Sequence, residues 1–213
     1  MTAQAAWVRI AIVAYNSGEH LQHCVDALAA QTCRNFEAVI VNNASPDRCT
    51  QTLVLPDNRF SVLQAGDNLG FASGSNLGLA GADTEWVATL NPDTRLASDC
   101  LARLKAAAEW FPGYAMLSPL MVQADSPDRL DGAGDVLSVY GIAWRGGQGQ
   151  PVAVAGHVPR EVFAPCGAAA FYRRDAFEMH GGFDSNFFCY IEDLDLGLRM
   201  VAAGAHCLLV PEA

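Results

Sequence analysis

The sequence contains no long apolar run, and its N-terminus shows no leader pattern. A helix that spans a membrane needs roughly 20 consecutive apolar residues, whereas the cleanest run here, Ile10 to Tyr15, has six. No transmembrane segment is therefore predicted, which leaves peripheral association with a membrane open. The first residues, MTAQAAWV, have no basic region followed by an apolar one, so we expect no secretory signal.

Positive charge and closely spaced cysteines are also scarce. The 13 Lys and Arg residues stand against 23 Asp and Glu residues, a net charge of −10. The chain has no excess of positive charge that would attract a phosphate backbone, so nucleic acid is not an expected partner. The seven cysteines are odd in number and form no C-x-x-C pair. This pattern favours free thiols in a reducing, cytoplasmic compartment over disulfides or a structural zinc.

The remaining composition is typical of a chain that buries a core. Of the 213 residues, 51% are hydrophobic and 17% are charged. No Pro- or Ser-rich linker divides the chain, so we predict a single domain over residues 1–213. Because the net charge is negative, an anionic ligand would need local groups such as backbone N–H groups, helix N-termini or a metal ion.

Strand and helix patterns alternate through the first half of the chain. Apolar runs predict strands at residues 8–15, 36–41, 61–64 and 86–90, and helical spacing follows at 19–31, 68–81 and 96–111. This order predicts an α/β fold with a mostly parallel sheet. Residues 119–163 are rich in Gly and Pro, which indicates hairpins and loops. A last helix is predicted at about 191–203.

Polar turns follow three of the predicted strands. They are Tyr15-Asn16, Asn42-Asn43-Ala44-Ser45 and Asn91-Pro92-Asp93. Ligands of open parallel sheets bind beyond the carboxyl ends of the strands, so we expect the three turns to converge on one edge. Short hydrogen-bonding side chains suit the base and ribose of a nucleotide, and Asp93 is suited to hold a hard cation. Taken singly, each turn is more typical of an ordinary cap or turn.

A second candidate is an aromatic run that leads into carboxylates at a helix start, residues 187–195 (FFCYIEDLD). Acidic residues in a first turn complement the helix dipole, and we assign Asp195, four residues before Arg199, to that role. Glu192 and Asp193 follow an apolar segment, which favours the neutral form of a carboxyl group, whereas the helix dipole favours the charged form. The direction of their pKa shift stays open in the sequence.

Six motifs in chain order carry a resemblance to a known family. They are V-x-Y-N (from Val13), Asn42-Asn43-Ala44-Ser45, N-x-G-F-A-x-G-x-N (from Asn68), L-N-P-D (from Leu90), G-G-F-D (from Gly181) and Y-x-E-D-x-D-L-x-x-R (from Tyr190). Together they resemble glycosyltransferase family 2, nearest to its rhamnosyltransferase-like branch, over about residues 8–211. The resemblance implies a GT-A fold, in which a mostly parallel Rossmann-like sheet carries a smaller mixed β part. It also implies a nucleotide-binding half (1–113) and an acceptor half (114–213).

The resemblance further implies an activity and a set of site residues. The activity is inverting transfer of a sugar, with rhamnose as one candidate, from a nucleoside diphosphate sugar to a hydroxyl of a saccharide or lipid-linked acceptor in polysaccharide or cell-envelope glycan synthesis. Asp193 is the implied general base, Asp93 the implied ligand of Mg²⁺ or Mn²⁺, and Glu192 either positions the acceptor or supports the helix. The implied nucleotide-sugar-binding residues are Tyr15, Asn16, Asn43, Asn68, Gly70, Asn76 and Asn91.

Three departures from the family pattern leave an alternative open. Asn42 stands where Asp is usual, Asn91-Pro92-Asp93 offers one carboxylate where D-x-D offers two, and the chain stops at Ala213 where relatives usually continue. We therefore expect a core that is truncated or naturally short, and the alternative is a weak or inactive nucleotide-sugar-binding module of a larger glycan-assembly system. A nicotinamide-dependent oxidoreductase is disfavoured, because no G-x-G-x-x-G follows the first strand.

Overall fold

The computed structural model describes residues 6–213. Residues 1–5, which belong to the N-terminal segment where we expect no secretory signal, lie outside the described residues. The strands are β1 (Val8–Ala14), β2 (Phe36–Asn42), β3 (Phe60–Gln64), β4 (Trp86–Leu90), β5 (Met116–Pro119), β6 (Met121–Gln123), β7 (Ser126–Gly132), β8 (Asp135–Leu137), β9 (Ala143–Arg145), β10 (Arg160–Val162), β11 (Ala169–Arg173) and β12 (Cys207–Val210). The helices are α1 (His20–Ala29), α2 (Gly70–Leu79), α3 (Cys100–Trp110), α4 (Arg174–Met179) and α5 (Glu192–Ala202).

A large mixed sheet organises the described part of the chain. Its strand order is β10-β12-β5-β11-β4-β1-β2-β3. The pairs β4-β1, β1-β2, β2-β3 and β12-β5 are parallel, whereas β11 runs antiparallel to both of its neighbours and β10 runs antiparallel to β12. Six of these eight strands therefore point the same way, which confirms the predicted mostly parallel α/β sheet. The reversal of β11 brings its amino end to the edge where β4 has its carboxyl end.

Helices cover both faces of the sheet, so the central strands are apolar throughout. On β1, Ile10 and Ile12 pack in the core under α1 and α3, whereas Ala11 packs in the second core under α2, α4 and α5. All three side chains are buried. A strand buried on both faces needs apolar residues at successive positions, and this explains the unbroken run that the sequence shows there.

Close contact with the sheet explains why a glycine-rich segment forms α2. A Cβ on Gly78 would lie 2.9 Å from the Cβ of Ala11, and a Cβ on Gly74 would lie 3.0 Å from Val13. The two glycines are four residues apart and share one helix face. The helix backbone therefore approaches β1 more closely than larger residues would allow, and this packing offsets the poor helix propensity of glycine.

The start of α3 is set by a residue from another element. The prediction placed this helix from residue 96, but it begins at Cys100. The buried Gln31 side chain accepts a hydrogen bond from the Leu101 N–H (3.0 Å) and donates one to the Ala97 carbonyl (2.7 Å). Gln31 thus caps the first turn of α3 from across the core, an arrangement that no local pattern at residues 96–100 reveals.

The Gly- and Pro-rich stretch forms two hairpins, as its composition predicts. β6 pairs with β7, and β8 pairs with β9, each antiparallel. The β8–β9 hairpin is attached to the main fold through a bridge between Asp135 and Ala164, with the Asp135 N–H 2.8 Å from the Ala164 carbonyl. Within residues 6–213, none of the helices has both the length and the apolar character needed to cross a bilayer.

Candidate functional site

Three polar turns lie side by side at the carboxyl edge of the sheet. They follow β1, β2 and β4, which are adjacent in the strand order. The first two turns are cross-linked, because the Asn16 N–H donates to Ser45 Oγ (2.8 Å) and the Gly18 N–H donates to Asp47 Oδ2 (2.8 Å). Hydrogen bonds from the Ser45 hydroxyl and the Gly18 N–H hold the pKa of Asp47 well below its usual range. Asp47 therefore serves as a fixed anion that ties the two turns together.

Tyr15 and Asn16 lie in the first of these two cross-linked turns. Both residues are exposed, and Asn16 has a left-handed backbone (φ +50°), a conformation that Asn tolerates better than most residues. Neither side chain forms a hydrogen bond with any residue in the described part of the chain. The structure thus leaves these two predicted nucleotide-binding side chains available to a ligand.

In contrast to Tyr15 and Asn16, the side chains of Asn43 and Asn68 form hydrogen bonds within the protein. Asn43 is only 2% exposed, and its amide donates to Asn68 Oδ1 (2.9 Å) and to the Gly70 carbonyl (3.2 Å). Its oxygen accepts the Leu69 N–H (2.9 Å). These bonds join the turn after β2 to the start of α2, so both asparagines position the loops of the site from beneath.

Gly70 allows the loop before α5 to contact α2. The Phe71 N–H donates to the Phe188 carbonyl (2.7 Å), and a Cβ on Gly70 would overlap that carbonyl oxygen. Gly70 also has φ +77°, a conformation that favours glycine. The residue therefore acts through close backbone contact, and it brings the aromatic segment that precedes Asp193 against the predicted donor loop.

Asn76 makes a second connection between these parts of the chain. Its side chain donates to the Phe183 carbonyl (2.7 Å) and accepts the Phe183 N–H (3.1 Å). Phe183 belongs to the Gly181–Asp184 motif, which is thereby held on α2. Like Asn43, Asn76 has its amide engaged by the protein and supports the site from below.

We expect Gly70→Ala to lower the free energy of unfolding by about 3 kcal/mol or more, because the methyl group would meet the Phe188 carbonyl in a left-handed backbone. Gly66→Ala is the matched control. Gly66 has φ +86°, and an added Cβ there would have no neighbouring atom within 4 Å, so only the conformational cost of about 1 kcal/mol is expected. Urea unfolding of both variants measures the difference, and equal losses would show that the Phe188 contact contributes nothing.

The turn after β4 presents Asp93 to solvent. The Asn91 N–H donates to the Ala168 carbonyl (2.9 Å), and Asn91 in turn accepts the Thr94 N–H (3.0 Å). Asp93 is exposed and forms no hydrogen bond or ion pair with the residues between 6 and 213. Asn91 thus shapes the turn through its backbone, and Asp93 remains unengaged at the edge.

The donor set around Asp93 fits a cation that is held largely by phosphate oxygens. The residues that the structure describes contain no group of three or more His, Cys, Asp or Glu side chains able to hold a metal. Mg²⁺ commonly binds one or two carboxylates and completes its shell with substrate phosphates and water. One exposed, unengaged carboxylate matches that mode, whereas it does not match a metal cage built by the protein.

Asp193 lies in the first turn of α5, and backbone groups hold it in place. Its Oδ2 accepts the Gly167 N–H (2.6 Å) and its Oδ1 accepts the Leu194 N–H (2.8 Å). A Cβ on Gly167 would lie 2.9 Å from Oδ2, so the glycine permits this approach. Directly before the helix, Tyr190 and Ile191 have φ +72° and +73°, a costly conformation for a β-branched residue that often marks functional sites.

One short segment joins the two acidic residues. Cys166–Ala168, which leads into β11, donates the Gly167 N–H to Asp193 and accepts the Asn91 N–H at the Ala168 carbonyl. The turn that carries Asp93 and the turn that carries Asp193 are therefore held on the same three residues, at one edge of the sheet. The roles that the sequence analysis gives to Asp93 and Asp193 stay predictions.

Two further carboxyl groups accompany Asp193. Glu192 is 4% exposed, and its Oε2 has no hydrogen-bond partner within the described range. Burial raises the pKa of Glu192 to about 7, and the negative charge of Asp193 adds to the rise. This answers, for Glu192, the question that the sequence left open. Sequence reasoning missed Asp135, an isolated residue outside any motif, which burial and Asp193 likewise raise to a pKa of about 7.

Comparison with known proteins relates this chain to glycosyltransferases. The sequence model of the family described as "Glycosyl transferase family 2" matches residues 9–181. An N-acetylglucosaminyl-diphospho-decaprenol L-rhamnosyltransferase from Mycobacterium tuberculosis is 29% identical over 230 aligned positions, which cover 96% of this chain and 73% of that protein.

Solved structures show the same fold. S. aureus TarS 1-349 in complex with UDP-GlcNAc superposes with a TM-score of 0.72 at 17% identity, covering 97% of this chain and 56% of that chain. GalNAc-T7 with UDP, GalNAc and Mn²⁺ gives a TM-score of 0.77 at 16% identity, covering 98% of this chain and 43% of that chain. The chain thus spans about half the length of these structural neighbours. Their likeness confirms the predicted GT-A fold.

Proposed function

Since this chain belongs to glycosyl transferase family 2, we propose that it transfers a sugar from a nucleoside diphosphate donor to an acceptor hydroxyl and inverts the anomeric carbon. One observation supports this most directly: Asp193 and the Asp93 turn are held by two adjacent residues, Gly167 and Ala168. A cation-binding carboxylate and a proton acceptor are needed on the two sides of one reacting centre.

On the donor side, the chain supplies contacts to the nucleotide and an anchor for a cation. Tyr15 and Asn16 are exposed and unengaged, and we assign them to the base and ribose. Asp93 would hold Mg²⁺ or Mn²⁺, and such an ion stabilises the negative charge that gathers on the leaving diphosphate. Asn43, Asn68, Gly70, Asn76 and Asn91 fix the loops that form this side.

On the acceptor side, Asp193 removes the proton. The acceptor oxygen forms a bond to the anomeric carbon, the bond from that carbon to the diphosphate oxygen breaks, and the hydroxyl proton moves to the Asp193 carboxylate. Attack opposite the leaving group inverts the carbon. Two N–H donors fix the orientation of the carboxylate, and each of its oxygens retains a further lone pair for the incoming proton.

The substrates are proposed from the relative that matches nearly the whole chain. The name of the Mycobacterium tuberculosis protein specifies L-rhamnose transfer to a lipid-linked N-acetylglucosamine. We propose the same classes here: a rhamnosyl donor, a lipid-linked saccharide acceptor, and a role in cell-envelope glycan synthesis. The seven free thiols favour the cytoplasmic side of the membrane. In this proposal residues 1–113 hold the donor and residues 114–213 meet the acceptor.

A thermal-shift screen with dTDP, UDP and GDP, each with and without Mn²⁺, tests the proposal. A nucleotide at 100 times its Kd stabilises the folded state by about 2.7 kcal/mol, which for a domain of this size raises Tm by roughly 5 to 10 °C. We expect one nucleotide to give this shift, and Mn²⁺ to enlarge it.

Transfer assays with the nucleotide sugar selected by that screen separate the two functional hypotheses. Transfer in the presence of Mn²⁺ supports the enzyme, whereas tight binding without transfer or donor hydrolysis supports the inactive binding module. Absence of a shift with all three nucleotides would contradict both.

A further inference from the structure

Asp135 is a buried carboxyl group that the proposed mechanism does not yet use. The residue is 8% exposed, and in the part of the chain that the structure describes its side chain forms neither a hydrogen bond nor an ion pair. Buried polar groups are nearly always hydrogen-bonded, because an unpaired one costs the full desolvation of the group. The Asp135 side chain therefore adds no bond to the fold, although its backbone N–H pairs with Ala164.

Backbone contacts direct Asp135 toward the Asp193 face of α5. Asp135 begins the β8–β9 hairpin and pairs with Ala164. Ala164 lies against Gly197, where an added Cβ would be 2.5 Å from the Ala164 Cβ. Gly197 is one helical turn beyond Asp193 and shares its face. The hairpin thus docks beside the carboxylate that we assign as base.

The charges around Asp135 favour its neutral form. Burial is the main cause of its raised pKa of about 7, the charge of Asp193 adds to the rise, and Arg145 opposes it. Arg145 donates a hydrogen bond to Asp131 (2.5 Å), so part of its positive charge is balanced by that carboxylate and not by Asp135. The titratable groups that face Asp135 from the surrounding elements are Asp193 on α5, Arg145 on β9, Cys166 before β11, Tyr172 on β11 and Cys207 on β12.

We propose that Asp135 is an acceptor-binding residue, whose protonated carboxyl donates a hydrogen bond to an oxygen of the acceptor sugar beside the hydroxyl that Asp193 deprotonates. This inference rests on the proposed function. A neutral carboxyl has an O–H donor that an ionised one lacks. Where their environments hold the pKa values of two neighbouring carboxyl groups apart, one group can act as a base and the other as a hydrogen-bond donor.

Kinetics of Asp135→Asn and Asp135→Ala test the inference. The probe acceptor is N-acetylglucosaminyl diphosphate carrying a short prenyl chain. In the wild type we expect the acceptor KM to rise above about pH 7 as Asp135 loses its proton. Asn keeps an N–H donor at every pH, so Asp135→Asn is expected to flatten this rise. Asp135→Ala is expected to raise the acceptor KM about tenfold at all pH values, with kcat and the donor KM changed less.

Two variants serve as controls. Asp128→Asn alters an exposed carboxylate on β7, and its pH profile is expected to match the wild type. Glu192→Gln is needed because Glu192 titrates in the same range; it reports the share of the profile that belongs to Glu192. The inference fails if Asp135→Asn keeps the wild-type pH dependence of the acceptor KM, or if Asp135→Ala leaves that KM unchanged.

Stability gives a readout that does not depend on activity. The pKa of Asp135 is near 7 in the folded state and about 3.9 in the unfolded chain, so the unfolded state releases the proton first as pH rises. Folding is then progressively disfavoured between those values, and Asn does not titrate. The Tm of Asp135→Asn relative to wild type is therefore expected to increase from about pH 4 to about pH 7.

These experiments distinguish failure of the inference from failure of the proposed function. If the wild type transfers sugar but the Asp135 variants behave like Asp128→Asn, only the inference is wrong. If the wild type transfers no sugar to the probe, the Tm comparison still decides whether Asp135 is neutral in the folded protein. A Tm difference that does not change with pH would overturn the inference in that case too.

Discussion

Asp193→Asn is expected to lower kcat by about 10² or more, because a carboxamide cannot take the proton from the acceptor hydroxyl. Donor affinity should remain within about twofold, since the Asp93 turn is held by the Ala168 carbonyl, which the substitution does not touch. Asn offers one acceptor oxygen to the two N–H groups of Gly167 and Leu194. We therefore also expect a loss of about 1 to 2 kcal/mol in the free energy of unfolding.

Asp195→Asn is the matched control for this substitution. Asp195 lies in the same helical turn, and its carboxylate is paired with Arg199 (2.8 Å). Its removal is expected to leave kcat within a few-fold of wild type, at a modest stability cost. Steady-state kinetics with nucleotide titrations measure both variants. If Asp193→Asn keeps near-normal turnover, Asp193 is not the base, and equal losses in both variants would point to damage of α5 instead of lost chemistry.

The fold was predictable where local patterns and tertiary packing agree. β4 has the predicted bounds, Trp86–Leu90, because a short buried run flanked by turn residues has few alternatives. The start of α3 was missed, since it depends on Gln31, which is 70 residues away along the chain from Leu101. Helix ends that are capped by distant side chains leave no trace in the neighbouring sequence.

The candidate site, like the fold, could be predicted from the sequence only in part. Asp93 and Asp193 were chosen from motif context, and the reversal of β11 brings their two turns to one edge. Asn43 and Asn76, which are predicted among the nucleotide-sugar-binding residues, have amides that bond to neighbouring loops, and an amide in a motif looks the same whether it meets a ligand or such a loop. They remain supports of the proposed site.

Asp135 shows the limit of sequence reasoning most clearly. Nothing in the Gly-rich stretch around it marks a functional carboxyl, and the motifs on either side are more than 40 positions away along the chain. Its burial follows from the docking of a hairpin on Ala164, and its raised pKa follows from that burial and from Asp193. Both causes arise only after folding, so they could not be predicted from residue patterns.

Asp93→Asn is expected to remove the Mn²⁺-dependent part of the nucleotide thermal shift and to lower the rate of transfer by about 10² or more. The wild-type carboxylate is exposed and forms no bond with the rest of the described chain. The Tm of the ligand-free variant should therefore stay within about 1 °C of wild type. This combination separates Asp93 from the buried carboxyl groups, whose replacement alters stability as well.

Asp83→Asn provides the comparison for that experiment. Asp83 is an exposed carboxylate before β4, at the opposite end of the strand from Asp93. The two substitutions change net charge equally, but only the change at Asp93 alters the edge that we assign to the diphosphate. We expect Asp83→Asn to keep the full Mn²⁺-dependent shift. A shift that persists in Asp93→Asn would place the cation elsewhere, and the donor side of the mechanism would then lose its anchor.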